Sequence, residues 1–323
     1  DFKVTPMKAL TRLLDLLVWT GLVLTGAATV VAVFAAVGWP VELFSHFAVQ
    51  YAAASAVSLV YFALRRSWWA AFAPLVLLAI NAAPISPYYQ TIPVANGRSG
   101  SHELRFLVLN LNIANRNGES VRQLIENENP DVMLFLEVST SWARILEPLR
   151  TTHSFVVGEP SDSIFGVWLM SRLPFGNSHV LRLGPRKRAA IQATICPNQV
   201  DRCLTIIGVH PPPPLSADWG AERDALLLEA ARVAKSTANG PIVMAGDFNI
   251  TPWSPVFSEI LADSNLRDSA LGFGIGSTWL SRPLLFGLPI DHILISRDIA
   301  VTGRHVGPYV GSDHFPLIAD LAF

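Results

Sequence analysis

The chain has 323 residues, of which 51% are hydrophobic and 15% are charged, and its formal net charge is −1. Its mean hydropathy of +0.38 excludes an ordinary soluble enzyme, and the excess of apolar residues lies near the N-terminus. After residue 93 the chain holds 19 Lys and Arg against 22 Asp and Glu; this formal charge of −3 argues against a strongly basic nucleic-acid-binding domain.

Three long apolar runs follow one another at the N-terminus, at residues 13–37, 43–64 and 68–83. A helix that crosses a bilayer needs about 20 apolar residues. The first two runs reach this length, and the third does so only if it extends toward Tyr88. A buried helical core is the alternative, but aromatic residues typical of membrane interfaces lie near the runs: Trp39, Trp68, Trp69, Tyr88 and Tyr89. We therefore predict a membrane domain at residues 1–92 with three transmembrane helices.

Positive charges flank these runs unevenly. Five basic residues lie before the first run or between the second and the third: Lys3, Lys8, Arg12, Arg65 and Arg66. The loop between the first two runs, residues 38–42, has no Lys or Arg. Because cytoplasmic loops are enriched in these residues, we predict a multi-pass membrane protein with a cytoplasmic N-terminus and an extracytoplasmic C-terminal domain. A cleaved signal peptide is the competing interpretation of the first run, but two further spans behind it argue against cleavage.

Both cysteines of the chain, Cys196 and Cys203, flank one turn between two strand-like runs, residues 189–195 and 204–209. The arms of such a hairpin lie opposite each other, and cross-strand neighbours are close enough for a disulfide. A disulfide is typical of an oxidising compartment, which agrees with the predicted extracytoplasmic location. Two unpaired thiols are the alternative, whereas a metal site would need more ligands than this turn offers.

Residues 93–102 have the composition of a linker, and residues 103–323 are enough for one domain with a hydrophobic core. In chain order, the predicted elements of this domain are strand 104–112, helix 119–128, strand 132–137, helix 141–149, β-rich segments within 155–210, helix 221–236, strand 242–247, helix 254–262, and strands 290–296 and 317–323. This mixture predicts an α/β domain in which sheets pack face to face with helices outside them.

Polar residues recur where the apolar runs of this domain begin or end: Asn110, Glu137, His210, Asp247, Asn249, Asp291, Asp313 and His314. A buried strand that ends in such a residue places an oxygen or an imidazole at the rim of a sheet. Because hard oxygen ligands predominate in this set, the pattern predicts one acidic site for a divalent metal.

The same residues lie in short motifs that resemble, in family order, those of the endonuclease/exonuclease/phosphatase superfamily: Asn110, Leu136-Glu137, Gly208-Val209-His210, Gly246-Asp247-Phe248-Asn249, Ile290-Asp291-His292 and Gly311-Ser312-Asp313-His314. The resemblance covers the chain after about residue 103. With its Pro-rich segment after His210 and its apolar start, the chain looks most like bacterial membrane-anchored members, which implies a location in the bacterial inner (cell) membrane. The resemblance implies a DNase I-like four-layer α/β sandwich and a Mg²⁺-dependent phosphoric-ester hydrolase, with Mn²⁺ or Ca²⁺ as alternative ions.

Chemistry and the resemblance together suggest which residues hold the metal and which handle protons. Glu137 is the predicted direct ligand because a hard cation prefers carboxylate oxygen, and the resemblance places Asn110 and Asp313 beside it. His314 is expected to act as general base or to orient the attacking water. Asp291, by its motif position, is expected to fix the tautomer of His314.

Further roles follow from the resemblance. It implies that Asp247 and Asn249 hold the water and a phosphate oxygen. It also implies that His210 donates a hydrogen bond to the phosphate or protonates the leaving group. His292 is expected to serve packing, because the Asp carries the motif. Asn112 is an alternative to Asn110, which we favour because it directly ends an apolar run.

Two features bear on the substrate. The basic cluster of Arg186, Lys187 and Arg188 could bind a phosphate or form a solvated turn. The mostly apolar segment 272–289 could touch lipid at a bilayer surface or pack against the protein. We therefore predict a membrane-anchored phosphodiesterase that acts outside the cytoplasm on a lipid head group or another envelope phosphoester. An extracytoplasmic nuclease acting on DNA or RNA is one alternative. A catalytically silent binding or scaffold subunit is another, although the intact acidic set argues against it.

Overall fold

The computed structural model describes residues 4–90, 102–197, 203–237, 240–280 and 286–323. The chain forms two compact units, Asp1–Pro87 and Tyr88–Phe323. The division lies slightly before the end of the predicted membrane domain at residue 92. The predicted linker, except for His102, lies outside the described residues.

Apolar helices make up the first unit. They are α1 (Val4–Val33), α2 (Ala48–Leu64) and α3 (Trp68–Ala82), and a 3-10 helix at Val41–Phe47 precedes α2. Two helical segments are long and apolar enough to cross a membrane, Lys8–Val33 with a mean hydropathy of 2.1 and Val41–Leu64 with 1.6. Helix α3 has only 15 residues, so the third transmembrane span stays a prediction.

Several polar side chains of the first unit are paired with one another. Asp15 accepts a hydrogen bond of 2.6 Å from the Tyr61 hydroxyl, and its carboxylate lies 3.6 Å from the Arg65 guanidinium. The Asn81 amide donates to the Thr29 hydroxyl at 3.0 Å. Hydrogen bonds of this kind satisfy polar groups that would be costly to leave unpaired among apolar helices.

The second unit alternates strands and helices. Its described strands are β1 (Glu103–Asn110), β2 (Val132–Leu136), β3 (Phe155–Glu159), β4 (Val167–Ser171), β5 (Phe175–Leu183), β6 (Arg188–Ile195), β7 (Leu204–Val209), β8 (Ile242–Asp247), β9 (Arg267–Asp268), β10 (Asp291–Ile295), β11 (Ala300–Val306) and β12 (Leu317–Ala322). Its described helices are α4 (Gly118–Glu128), α5 (Thr140–Leu146), α6 (Ala217–Ser236) and α7 (Pro255–Ser264). The predicted strands and helices are confirmed. Strands β9 and β11 were not predicted: β9 has only two residues, the residues of β11 are mostly polar or small, and both strands lie at a sheet edge.

The strands form two six-stranded sheets. One has the order β11-β12-β1-β2-β4-β3 and the other the order β5-β6-β7-β8-β10-β9. Their facing surfaces share one hydrophobic core, which includes Leu134 and Ile206. Helices α4 and α5 cover the outer face of the first sheet, where Trp142 is fully buried, and α6 and α7 cover the second sheet through residues such as Leu227. The domain is therefore the predicted four-layer α/β sandwich.

Strand pairing explains why the polar strand ends meet. Strands β1 and β2 are parallel, so their carboxyl ends bring Asn110 and Glu137 to the same edge. Strands β7 and β8 are also parallel, and they bring His210 and Asp247 together at their own carboxyl ends. Strand β10 runs antiparallel to β8 and pairs Asp291 with Asp247. Two sheets thus contribute polar residues to one region.

The predicted disulfide between Cys196 and Cys203 is confirmed. The two residues close the hairpin of β6 and β7, where Ile195 pairs with Leu204, and their Cα atoms lie 4.3 Å apart. The bond joins cross-strand neighbours and so ties together two central strands of the second sheet.

Tyr88 begins the second unit and is buried in it, although the sequence pattern suggested an interfacial aromatic. Its hydroxyl donates to Asp268 Oδ2 at 3.2 Å, and its carbonyl accepts from the Gly274 amide at 2.7 Å. Burial, together with the negative charge of Asp268, raises the pKa of Tyr88. Tyr89 remains largely exposed. The segment after the apolar helices is therefore integrated into the domain.

Candidate active site

Sharp turns follow three of the strands that supply the site. Asn112, Glu137 and Asn249 all have a left-handed backbone, with φ values of 58°, 55° and 54°. Asn tolerates this conformation, whereas Glu does so at a cost of about 1–3 kcal/mol. Hydrogen bonds from Asn110 and Ile113 to the Glu137 side chain fix its carboxylate at the end of β2.

Glu137 and Asn110 form the first part of the site. One Glu137 oxygen accepts from Asn110 Nδ2 at 3.1 Å, and the other accepts from the Ile113 amide at 2.9 Å. Asn110 Nδ2 also donates to Asp247 Oδ2 at 3.1 Å. Asn110 therefore links a carboxylate of the first sheet to a carboxylate of the second.

The donor chemistry of this pair fits a hard divalent cation. Each Glu137 oxygen accepts one hydrogen bond and keeps lone pairs for a metal, and the side chain is 16% exposed. Asn110 presents its amide nitrogen to Glu137, while its oxygen accepts from the Asn112 amide. Coordination through the Asn110 oxygen would require its amide to turn over. Glu137 is thus the principal candidate ligand, and the role of Asn110 stays a prediction.

His314 is held between two carboxylates. Its Nδ1 forms a 2.8 Å hydrogen bond with Asp291 Oδ2, and its Nε2 lies 3.5 Å from Asp247 Oδ2. Burial alone would lower the pKa of His314, but the charges of Asp291 and Asp247 outweigh it and raise the pKa to about 10. These two carboxylates therefore favour the protonated imidazole, whose Nδ1 then donates to Asp291 and whose Nε2 faces Asp247.

The ligand atoms of Asp247, Asp291 and His314 all lie within 4.8 Å of one another, a spacing that could also suit a metal. A protonated imidazole has no free lone pair for a cation. Burial raises the pKa of Asp247, although the neighbouring His314 imidazole opposes this. With His314 protonated this group suits proton transfer, whereas with a neutral His314 the same three residues could hold a metal.

His210 contributes a buried imidazole without a hydrogen-bond partner among the described residues. The residue is 2% exposed, and both ring nitrogens are enclosed. Nε2 lies 3.8 Å from Glu137 Oε1, and Nδ1 lies 3.7 Å from Asp247 Oδ2. A buried polar group normally has a partner, so the predicted role of His210 in binding the phosphate is compatible with its two unbonded nitrogens.

Asp247 and Asn249 share the turn after β8. The Asn249 amide donates to Asp247 Oδ1 at 2.9 Å, and the Asn249 side chain donates to the Pro211 carbonyl at 3.1 Å. The buried Arg223 donates to the Asn249 carbonyl at 3.3 Å. These bonds fix the turn beside His210, although the Asn249 side chain is directed to the backbone in this arrangement.

Residues 107–314 match the model of the Endonuclease/Exonuclease/phosphatase family, which is more than half of the chain. The chain belongs to this family. No curated protein sequence matches it.

A family protein from Beutenbergia cavernae has a similar structure, with 21% identity, a TM-score of 0.55 and coverage of 68% of this chain and 71% of the other. A family protein from Bacteroides vulgatus has 17% identity, a TM-score of 0.57 and coverage of 68% and 98%. A beta toxin variant from Staphylococcus aureus with bound magnesium ions has 17% identity, a TM-score of 0.50 and coverage of 68% and 99%.

Thr278 and Trp279 are site residues of this family member that the sequence interpretation did not identify. The fully buried Thr278 hydroxyl accepts from the Asp291 amide at 3.1 Å. The Trp279 indole donates to Asp313 Oδ2 at 3.1 Å, and its backbone forms a bridge with His314. This short segment therefore positions both members of the His314–Asp291 pair. An apolar run with one Thr gave no signal of such a role.

Asp313 lies beside the pair but has its own partners. Asn112 donates to Asp313 Oδ1 at 2.6 Å, so both carboxylate oxygens are hydrogen-bonded, one of them to Trp279. Asn112 therefore contacts Asp313, and its role as an alternative to Asn110 stays a prediction. The described contacts join Asp313 to neither Glu137 nor Asn110, and its role as a metal ligand stays a prediction.

The remaining predicted residues lie around this centre. His292 is buried between Phe248 and Phe257, with its Nε2 bonded to the Ile250 carbonyl at 2.8 Å, which agrees with packing. The described part of the mostly apolar segment 272–289 includes both exposed and buried side chains. Phe273 and Phe286 are exposed, Leu288 is buried, and residues 281–285 lie outside the described residues.

Arg186, Lys187 and Arg188 lie at the turn between β5 and β6. Arg188 Nε donates to the buried Glu222 at 2.7 Å, and Arg186 lies 3.3 Å from the other oxygen of Glu222. The Arg188 guanidinium also stacks 3.5 Å above the ring of Phe165. Lys187 is exposed. The cluster is therefore not merely a solvated turn, since two of its members are anchored to one buried carboxylate.

Proposed function

We propose that this protein is a membrane-anchored, extracytoplasmic phosphodiesterase that uses Mg²⁺ to hydrolyse a phosphate ester in the cell envelope, with a lipid head group as the favoured substrate. The observation that carries the proposal is the buried His314–Asp291 pair facing Asp247, with His210 and Glu137 beside it. Family membership supports a phosphoester hydrolase.

The Glu137 oxygens fit a bound magnesium ion. Asn110, with its amide turned over, and Asp313 are the further ligands that we propose. When bound there, Mg²⁺ would polarise a phosphoryl oxygen and stabilise the leaving oxyanion. The S. aureus beta toxin variant with bound magnesium ions has the same fold, which supports the choice of ion. Mn²⁺ and Ca²⁺ are the alternatives to test.

The protein's own residues supply the proton chemistry. Asp247 has a raised pKa, which makes it a better proton acceptor. It takes a proton from the attacking water while the water oxygen forms a bond to phosphorus. Protonated His314 donates from Nε2 to a phosphoryl oxygen, and Asp291 holds its ring in place. His210 lies on the Glu137 side and donates to a second phosphoryl oxygen or to the departing alkoxide. His314 thus acts as a hydrogen-bond donor rather than as the general base.

The membrane anchor and orientation rest on independent features. The helices Lys8–Val33 and Val41–Leu64 are apolar enough to span a bilayer. Basic residues flank them as expected for a cytoplasmic N-terminus. The disulfide between Cys196 and Cys203 supports an oxidising compartment for the domain. A reporter fused after Phe323 should be active only outside the cytoplasm, and cytoplasmic activity would overturn this orientation.

The preference for a lipid substrate is supported by the charge and surface of the domain. Its formal charge of −3 does not favour a long nucleic acid. Phe273 and Phe286 are 41% and 54% exposed in the segment that leads to β10. On a domain tethered to a bilayer, such side chains suit contact with lipid.

The test uses the full-length protein in detergent or vesicles. Wild type with Mg²⁺ should hydrolyse bis-p-nitrophenyl phosphate, and EDTA should abolish the activity. Glu137→Gln should lower kcat by at least about 100-fold, whereas the exposed control Glu119→Gln should match wild type. Phospholipid vesicles and plasmid DNA then compete as substrates. Rapid DNA cleavage with intact phospholipid would replace the lipid assignment with a nuclease. Equal inactivity of wild type and Glu137→Gln with every divalent ion would refute the enzyme assignment.

A further inference from the structure

A small group of side chains beside His210 is not used in the proposed reaction. Phe165 comes from the loop before β4, Arg188 begins β6, and Trp219 and Glu222 lie in the first turns of α6. We call these four residues the rim cluster. The Phe165 ring lies 6.5 Å from the His210 ring and 6.4 Å from the Trp219 ring. Three separate elements therefore converge at one side of the candidate active site.

The loop that carries Phe165 also contacts the turn after β2, next to Glu137. The Val138 amide, next to Glu137, donates to the Gly166 carbonyl at 3.1 Å. The added Cβ of any larger residue at position 166 would lie 2.1 Å from the Val138 carbonyl oxygen, so only Gly fits this approach. Phe165 is thus fixed relative to both Glu137 and His210.

Arg188 is rigidly held within the rim cluster. Its Nε donates to Glu222 Oε1 at 2.7 Å, its guanidinium lies 3.5 Å above the Phe165 ring, and its side chain is 19% exposed. Within the described part of the chain, its two Nη atoms have no hydrogen-bond partner. An Arg fixed in this way offers a planar, pre-organised fork that suits a carboxylate or a phosphate.

The local charge favours an anion. Glu222 is buried and is shared by Arg188 and Arg186, so two guanidinium groups face one carboxylate and leave a net charge of +1. This positive charge offsets part of the negative charge of Glu137 and Asp247 in the neighbouring site. A purely structural ion pair would need only one arginine for Glu222. The second cation leaves positive charge available for a ligand.

We propose that Arg188, positioned by Glu222 and Phe165, binds a second anionic group of the substrate, next to the scissile phosphate. The inference rests on the proposed phosphodiesterase function. Arg188 Cζ and the His210 ring lie no more than about 10 Å apart, since contacts of 3.5 and 6.5 Å join them through Phe165. One small head group spans that distance. The expected substrate class is therefore a phospholipid whose head group carries an additional carboxylate or phosphate.

Two matched lipid pairs test this inference. Phosphatidylserine differs from phosphatidylethanolamine by one carboxylate, and phosphatidylglycerol phosphate differs from phosphatidylglycerol by one phosphate. For each pair, the ratio of kcat/KM for the more anionic lipid to that for its partner is measured in vesicles of equal surface charge. Arg188→Gln should lower this ratio on the order of tenfold or more, because a hydrogen-bonded charge pair is lost. Arg188→Lys should restore part of it. The control Arg182→Gln, on the same hairpin but paired with the exposed Glu159, should leave the ratio unchanged.

The outcomes separate the subsite from the reaction. If bis-p-nitrophenyl phosphate is hydrolysed but Arg188→Gln leaves both lipid ratios unchanged, the subsite is refuted and the enzyme stands. If wild type hydrolyses no ester, the proposed function fails, and calorimetric titration with inorganic phosphate tests the subsite directly. Equal affinity of wild type and Arg188→Gln for phosphate would then refute it. Preference for the 5′-phosphorylated dinucleotide pTpT over TpT, with no lipid preference, would assign the second anion to a nucleic acid and overturn the lipid class.

Discussion

Replacing Asp291 by Asn removes one charge from the candidate active site and keeps the shape of the side chain. Asp291 Oδ2 bonds to His314 Nδ1 at 2.8 Å, and the Asp291 amide is held by Thr278. The backbone contacts should therefore survive the change. An Asn side chain can accept from Nδ1–H, but it no longer supplies the charge that keeps His314 protonated. We expect Asp291→Asn to fold and to lose most of its activity.

The size of the loss follows from the geometry. Two unit charges 2.8 Å apart interact by roughly 6 kcal/mol at an effective dielectric constant of about 20. Converted into rate, this corresponds to an upper bound of roughly four powers of ten. Asp247 remains near Nε2 and continues to favour the protonated ring. We therefore expect kcat to fall by about 10²–10⁴-fold, the range typical of proton-transfer groups.

The assay is Mg²⁺-dependent hydrolysis of bis-p-nitrophenyl phosphate, with thermal unfolding measured on the same preparations. Asp320→Asn is the matched control, since Asp320 pairs with Arg105 on the opposite part of the first sheet. It should lose some stability and little activity. The pH profile of Asp291→Asn should show loss of activity at a lower pH than in wild type, as the pKa of His314 falls. If Asp291→Asn keeps kcat within about threefold of wild type across pH 6–9, the negative charge of Asp291 is not needed for catalysis, and the role given to the His314–Asp291 pair is refuted.

Three further predictions concern the support of the site and the stability of the domain. Trp279→Phe removes the indole donor to Asp313. We expect kcat/KM to fall about tenfold and the free energy of unfolding in urea to fall by about 1–2 kcal/mol. Unchanged kinetics would mean that Asp313 needs no such partner. Burial holds the pKa of His153 below 6.5, so its neutral form stabilises the fold above about pH 6.5 and this stability is lost as the pH falls below that value. The Tm of the wild type should therefore drop between pH 7 and 5. An equally steep drop in His153→Gln would assign the effect to other groups. Replacing both Cys196 and Cys203 by Ala opens a loop with a sequence separation of seven and should cost about 2–3 kcal/mol; a Tm insensitive to reductant in wild type would contradict this.

Much of the fold was predictable because local sequence encodes it. The strand β8 was predicted at its observed bounds, since a short apolar run between turn residues has few alternatives. Strand β11 was missed because its side chains are mostly polar and lie at an edge. The third apolar run forms helix α3, but its 15 residues leave its relation to the membrane open to experiment.

The site was predictable only in its membership. Asn110, Glu137, His210, Asp247 and His314 do lie together. One parallel strand pair in each sheet brings the first four to the site, and His314 arrives from the loop before β12, which is antiparallel to β1. Their orientations could not be anticipated. The amide nitrogen of Asn110 faces Glu137, and the Asp291 and Asp247 carboxylates raise the pKa of His314. Whether His314 acts as a base or as a hydrogen-bond donor stays a prediction. Orientation depends on partners that are distant in sequence, such as Asp291 for His314.

The sequence by itself determined the apolar helices, the strand ends with their carboxylates, and the hairpin that carries the disulfide. Each of these depends on residues within one short segment, where hydrophobic period and turn chemistry act. Only the tertiary structure decided that Trp279 supports Asp313, that Tyr88 is buried beside Asp268, and that Arg188 lies near His210. Such contacts join segments far apart in the chain, and they depend on how sheets and loops pack, which no local pattern encodes.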